Sequence, residues 1–558
     1  MLKLSALCLA TLMLLQSPSG HADTLPAAAM VAPALAARID ASISGYYKPA
    51  GPGATVIVTK DGQTVFRKAY GMADVVRHVP MTPDTVLRIG SLTKQFTSTA
   101  IMMLADEGKL SVSDDITKYL PGYPTHGKKI TIEHLLTHSS GILSYTSKRS
   151  FRDAMAKDMT VAQMIDSFKD DKPEFEPGAQ WRYNNSGYFL LGAIIEKVSG
   201  MPYAKFVEQR IFVPLAMTNT AYEGYERGTA PRAAGHTGSP GHYEPGTPLS
   251  MSLPYAAGSL VSTADDLARW DAAVSSGKLL KAASWQKAFT PYTLDGGAPT
   301  KYGYGWMLDK VQGAPTIGHG GSINGFKAFA LRVPSEKLYV AVLSNSDSGL
   351  VAPEIVANKV AALAIGKPYR EFSEIKVDPA SLDAYAGAYK VDDKVSRTMR
   401  VEDGKLVMER TGRSSVTLVP YAANGFFIPD SLDYFEFGRD AGGAVTQLTY
   451  HQGETVSVHP RAAAAAERQV IKVPAALLDT YLGRYQIMPD IALDITRTGE
   501  RLFGQASGQP RMELFAMTET LFFTREINAQ VRFQKDADGA PQVLVSHDGR
   551  NMSGKKIR

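Results

Sequence analysis

The last third of the chain is written twice. Leu382-Asp383-Ala384-Tyr385-Ala386-Gly387-Ala388-Tyr389 returns 96 residues later as Leu478-Asp479-Thr480-Tyr481-Leu482-Gly483-Arg484-Tyr485. The same offset pairs Leu406 with Leu502, Phe426-Phe427 with Phe522-Phe523, Phe437 with Phe533, Leu448 with Leu544 and His451-Gln452-Gly453 with His547-Asp548-Gly549. A repeat with so constant an offset demands two copies of one architecture, each with its own core. Alternating runs such as Tyr434-Phe435-Glu436-Phe437 and Val543-Leu544-Val545, separated by turn clusters such as Asp440-Ala441-Gly442-Gly443 and Asp536-Ala537-Asp538-Gly539, predict a meander of antiparallel strands. About 80 residues per copy suffice for a small barrel, which hides its own edges. Two barrels are expected over 379–460 and 475–558, joined by a linker over 461–474 that contains the alanine run Ala462 to Ala466.

Residues 23–370 mix strand and helix patterns and end near the boundary Gly366 to Pro379. Thr55-Val56-Ile57-Val58 and Thr64-Val65-Phe66 flank Lys60-Asp61-Gly62 as a hairpin, and Phe329-Ala330-Leu331 and Val340-Ala341-Val342-Leu343 flank Pro334-Ser335-Glu336 as another. Between them Phe96, Ala100, Met103 and Leu104 share one helix face and Leu191, Ile194, Ile195 and Val198 another, with Gly200 as the C-terminal cap. Strands at both ends and helices between them predict an α+β domain, one mixed sheet completed by both termini and carrying a helical insert.

The opening 22 residues have the form of an export signal: Lys3, the apolar run Leu4 to Leu15, then Gly20-His21-Ala22. Their removal takes away Cys8, the one cysteine of 558 residues, which suits an oxidising periplasmic or extracellular location. It also excludes thiol and multi-cysteine metal chemistry. A net charge of +5 from 60 basic and 55 acidic residues gives no footprint for nucleic acid. No later run approaches the length of about 18 apolar residues that a transmembrane anchor needs.

Three local patterns could carry chemistry. Ser91 and Lys94 lie one helical turn apart, so both side chains would share a face. Five serines have Lys at i+3, but Ser91 follows a glycine and opens a long amphipathic helix, where free amides gather. The plain alternative is that Ser91 caps that helix. Tyr183-Asn184-Asn185 is the one Tyr-x-Asn among 25 tyrosines and lies in a loop between a turn and a helix. Gly318-His319-Gly320-Gly321-Ser322 precedes the last hairpin of the domain, and its glycines would let a substrate approach the backbone. His236 also has the His-x-Gly form, but it lies in a Gly/Pro-rich run without strand pattern. Against these stands a metal alternative, in which Glu133, His134 and His138 would put two imidazoles at i, i+4 on one helix face.

In this order and with their flanks, the three patterns resemble those of the penicillin-recognising serine hydrolases, the peptidase S12 group of class C β-lactamases, D-Ala-D-Ala carboxypeptidases, D-aminopeptidases and related esterases. The resemblance covers about residues 40–365. Arg88-Ile89-Gly90-Ser91-Leu92-Thr93-Lys94 looks like the nucleophile motif, Ile130 to Gly141 like the internal signature and Pro177 to Tyr188 like the Tyr-x-Asn loop, while His319-Gly320-Gly321 fills the place of a Lys-Thr-Gly triplet. The repeated barrels resemble lipocalin-like domains appended to some members.

The resemblance implies a β-lactamase/transpeptidase-like fold and an acyl-enzyme mechanism that needs no cofactor. Ser91 would be the nucleophile, Lys94 the general base and Tyr183 the general acid and base. Asn185 would hold the substrate amide, and the N–H groups of Ser91 and Ser322 the oxyanion. Two positions depart from the pattern: Gly320 replaces a hydroxyl residue and His319 a charged lysine. Both weaken recognition of a substrate carboxylate and favour small peptides, amides or esters. An imidazole at 319 with its ordinary pKa near 6.5 would place an activity limb there. A penicillin-binding sensor without turnover is the competing class, and the sequence does not specify an oligomeric state. For the barrels, passive scaffolding competes with a loop that reaches the catalytic cleft, as resemblance to D-aminopeptidases suggests.

Overall fold

The computed structural model describes residues 27–557 apart from 227, 394, 412–414, 454, 463–469, 489–490, 508–510, 525–528, 537 and 548–549. The export segment with Cys8 and the alanines at 463–466 lie outside the described residues. Two units emerge, one running to Gly366 without Asp309–Thr316, the other made of Asp309–Thr316 and the chain from Lys367 onward.

Strand β3 (Met307–Val311) comes before β4 (Ala314–Ile323), and the sheet of the first unit consists of β1 (Ala54–Lys60), β2 (Gln63–Tyr70), β4 from Ile317 onward, β5 (Phe326–Val333) and β6 (Leu338–Ser344), in the order β4-β5-β6-β1-β2. Antiparallel pairing of β1 with β6, Ala54 opposite Ser344 and Lys60 opposite Leu338, joins the two ends of the unit as the hairpin pattern predicts. All seven residues of β6 are buried, so both of its faces are covered. Helices Ala264–Ser275 and Pro353–Ala364 pack on it.

Two helices of the insert position the site. In α1 (Thr93–Asp106) every residue from Thr93 to Leu104 is buried, the signature of a helix packed on all sides rather than on one face. Beside it lies α2 (Asn185–Ser199), whose Leu191, Ile194 and Ile195 are buried and which ends at Gly200 in the left-handed conformation, φ +70°. Two glycines fix the turn before α1 against β4. Gly90 has φ +50°, and a Cβ on Gly321 would stand 2.0 Å from the Ile89 carbonyl oxygen. A Cβ on Gly318 would stand 2.4 Å from the Ala330 oxygen. The expectation that these glycines open the backbone to substrate is therefore corrected at 318 and 321: they allow backbone to meet backbone. His236, expected outside any strand, begins the short strand His236–Ser239 and is buried.

In the second unit each repeat forms eight antiparallel strands, Gly387–Lys390 to Thr455–Pro460 and Gly483–Met488 to Arg550–Lys556. The second barrel closes by pairing its first strand with its last, Tyr485 opposite Lys556. The first is joined across its seam by the isolated bridge Tyr389–Arg461. Equivalent tyrosines anchor both starts: Tyr389 Oη donates to the Tyr385 carbonyl at 2.8 Å and Tyr485 Oη to that of Tyr481 at 2.9 Å. The constant offset is corrected near the end. Phe437 faces Leu448, whereas Phe533 faces Val543, because a bulge at Gly438/Arg439 adds one residue to the first barrel. Leu448 therefore corresponds to the fully buried Val543 rather than to Leu544, and His451 to Ser546 rather than to His547. The architecture is the expected α+β unit followed by two small antiparallel barrels.

Overpacking at a tight contact costs about 1–3 kcal/mol. Gly321→Ala is expected to lower the thermal midpoint more than Gly320→Ala, whose Cβ would meet only Phe329 Cδ2 at 3.4 Å. Equal midpoints in a melting experiment would show that β4 is not held by this contact.

Candidate active site

Ser91 sits in the 3₁₀ turn Gly90–Leu92 that leads into α1. No side chain caps this turn or the helix, so the capping alternative for Ser91 is set aside. Its Oγ lies 3.0 Å from Nζ of Lys94. Lys94 is 0% exposed, and its Nζ also meets Asn185 Oδ1 at 2.9 Å and the Ala257 carbonyl oxygen at 2.8 Å. Among the described residues no carboxylate pairs with it, and burial alone holds its pKa well below the ordinary lysine range. A neutral amine has two N–H groups and one lone pair. Asn185 Oδ1 and the Ala257 oxygen can only accept, so they take the two N–H groups and leave the lone pair facing the Ser91 hydroxyl.

Tyr183 completes this group. Its ring lies 4.8 Å from Lys94 Nζ, and its buried hydroxyl makes no hydrogen bond, with the Ser91 hydroxyl as its polar neighbour. Burial pushes the phenol pKa up, so burial favours the uncharged form of both Lys94 and Tyr183. Asn184 caps α2 through Oδ1 to the Gly187 N–H at 2.8 Å. Asn185, the next residue, is thereby turned toward Lys94, and its Nδ2 is held by Thr146 Oγ1 at 3.2 Å.

On the facing strand β4, Gly321 and Ser322 lie against the turn. The Ser322 nitrogen is 3.0 Å from where a Cβ on Gly90 would stand, and the Ser91 nitrogen 3.3 Å from where one on Gly321 would, so the backbones at Ser91 and Ser322 run close together. Ser322 itself is exposed at the opening. His319 is 1% exposed, with Nδ1 2.6 Å from the Gly320 carbonyl oxygen and Nε2 2.8 Å from Tyr302 Oη. The tautomer assigned from this network carries its proton on Nδ1, donates to Gly320 and accepts from Tyr302. Burial lowers the His319 pKa to about 3, and whenever Lys94 is protonated its charge opposes a proton on His319 further. The expected limb near pH 6.5 is therefore corrected.

The metal alternative does not survive the local geometry. The helix that begins at Ile132 ends at Leu136, and His138 lies beyond it with φ +61°. His134 Nδ1 accepts from the Thr131 N–H at 3.2 Å and His138 Nδ1 from the Asn184 N–H at 3.1 Å. Glu133 instead pairs with Lys287 at 3.1 Å. Among the described residues no group of three or more His, Cys, Asp or Glu could hold a metal ion.

Two contributors escape the sequence patterns, and a third, His138, has a different part from the metal ligand weighed for it. The Ala257 carbonyl has no side-chain signature, and Tyr302 belongs to no motif. His138 serves as a packing centre, its ring centroid 4.3 Å from Tyr183 and 4.6 Å from Tyr302.

A family model described as beta-lactamase matches residues 34–364, and one for a domain of unknown function matches residues 467–556. Penicillin-binding protein 4* of Bacillus subtilis (strain 168) is 27% identical over 426 residues, 72% of this chain and 93% of that protein. The D-aminopeptidase of Gluconobacter oxydans (strain 621H) is 28% identical over 344 residues, 60% of this chain but 63% of its own length. Among solved structures, a D-stereospecific amidohydrolase from Streptomyces sp. superposes with a TM-score of 0.50 at 28% identity, covering 60% of this chain and 98% of that one. With the matched model spanning more than half its length, the chain belongs to the beta-lactamase family of serine hydrolases.

Proposed function

We propose that the protein is an exported amidohydrolase that cleaves small peptides or amino acid amides through an acyl-enzyme on Ser91. The observation that carries this reading is the placement of the buried Lys94 amine, 3.0 Å from Ser91 Oγ, with two further oxygens that can only accept, Asn185 Oδ1 and the Ala257 carbonyl, at 2.9 and 2.8 Å. In acylation Ser91 Oγ attacks the substrate carbonyl carbon and its proton passes to Lys94 Nζ. The oxygen that gains charge sits between the Ser91 and Ser322 amides, each such donor worth roughly 10²–10³ in rate. Tyr183 gives its phenolic proton to the leaving nitrogen as the C–N bond breaks and recovers one from Lys94. Water then follows the reverse route, losing a proton to the same pair, and the acid leaves with Ser91 restored. Asn185 orients the substrate amide while holding Lys94.

Amides are favoured over substrates anchored by a free carboxylate because His319 is uncharged and both its nitrogens are occupied. That its relatives include a D-aminopeptidase and a D-stereospecific amidohydrolase supports the same substrate class.

On a D-amino acid p-nitroanilide, Ser91→Ala is expected to lose at least about 10³ in kcat, and Lys94→Ala and Tyr183→Phe about 10²–10⁴ each. Full turnover by Ser91→Ala would remove the mechanism. Mass spectrometry should show a substrate-derived acyl group on Ser91 with D-peptide amides. Labelling only by β-lactams, without release, would favour a sensor instead.

The pH profile follows from the two shifts. Activity should rise with pH as Lys94 loses its proton, at a pH below the ordinary lysine range. His319 should add no step between pH 5 and 8 because its pKa lies near 3. A step near pH 6.5 that disappears in His319→Gln would contradict this.

A further inference from the structure

The interior of the first barrel is apolar except at one end. Arg397 and Arg410 stand opposite each other on neighbouring strands, where Ser396–Glu402 begins and Lys405–Arg410 stops. Alternation with the buried Met399, Leu406 and Met408 places both on the inward face. Arg397 is 7% exposed, and its guanidinium lies 3.9 Å over the ring of Tyr450. Its Nε, the Nε of Arg410 and Nδ1 of the 3% exposed His459 are buried without a hydrogen-bond partner. Among the described residues neither arginine has an ion-pair partner. Arg400, on the opposite face, is paired with both Glu402 and Glu409.

Buried cations without partners are expensive, so a packing role should be visible wherever this scaffold occurs. The second barrel supplies that comparison within the same chain. Matched strand by strand, Arg397 corresponds to Leu493, Arg410 to Ala506, Tyr450 to Val545 and His459 to Gly554. Asp433, the carboxylate that accepts from Tyr450 Oη at 2.5 Å, corresponds to Ala529. The scaffold closes this end with apolar residues, and the charges in the first barrel answer a different need.

The charge balance narrows that need. Two guanidiniums face one carboxyl group, whose pKa burial raises, and His459 is held neutral by burial and by the two arginines. At least one positive charge is left over, matched by one monoanion. A guanidinium fork fits a carboxylate with two parallel hydrogen bonds. Phe435, itself fully buried in the core, stacks on Tyr450 with ring centroids 5.0 Å apart and so fixes the ring over which Arg397 lies.

We propose that this end of the first barrel binds a small organic carboxylate, with Arg397 and Arg410 holding the carboxylate group. The site is separate from the Ser91 chemistry and stands or falls without it. Calorimetric titration of the full chain with N-acetyl-D-alanine, N-acetyl-L-alanine and inorganic phosphate tests it. Arg397→Leu and Arg410→Ala install the residues of the second barrel, and each should weaken N-acetylalanine binding about tenfold or more. Asp433→Asn, which removes the competing negative charge, should tighten it. Ester turnover should stay unchanged in all three. No N-acetylalanine binding, or binding that all three variants leave unchanged, would overturn the proposal. Phosphate binding tighter than either carboxylate would overturn the assigned ligand class.

Discussion

The amine of Lys94 is an ionisable group taken fully out of water with no opposite charge beside it, and the first unit is organised around that fact. Its three oxygen partners come from Ser91, Asn185 and Ala257, which are 3, 91 and 163 residues away in sequence. To bring them within hydrogen-bonding distance the chain must bury α1 on every side, cap α2 at Asn184 and turn back at Ala257. The packing that dehydrates the amine also favours its uncharged form, the form that the proposed mechanism needs beside Ser91. A looser core would admit water, restore the ammonium ion and remove the lone pair.

Around this amine the pocket holds imidazoles rather than fixed charges. His138 and His319 are both buried, and burial holds the pKa of both well below the ordinary range, with a proton on Lys94 opposing theirs further. His138 supports the Tyr183 loop from behind through the Asn184 amide, and His319 closes β4 onto Tyr302. With both rings uncharged, neither brings a fixed charge to the surroundings of Ser91.

Much of this was legible in the residues. The one-turn spacing of Ser91 and Lys94, the Tyr-x-Asn loop and the glycines before Ser322 all met at one place because each motif is local and its element was predictable. What was missed depends on distant backbone. The Ala257 carbonyl belongs to any residue type, and the His319 pKa is set by burial that spacing does not report. His138 was placed on a helix that stops two residues before it. The repeat offset failed where one bulged residue changed the register yet left the alternation intact on either side.

The two barrels divide the burdens of one duplicated scaffold unequally. The second is hydrogen-bonded around its full circumference and apolar at the end where the first keeps two guanidiniums. A desolvated cation lowers the free energy needed to open a sheet, and the seam of the first barrel rests on the Tyr389–Arg461 bridge, the Ala462 N–H to Ala388 oxygen bond and the Arg461 guanidinium on the Ala386 and Val445 carbonyls, where the second has a strand pair. The first barrel is therefore the weaker copy. On warming, amide protons of Gly387–Lys390 and Thr455–Pro460 exchange with solvent ahead of their counterparts in Gly483–Met488 and Arg550–Lys556, giving the second unit a fixed order of opening.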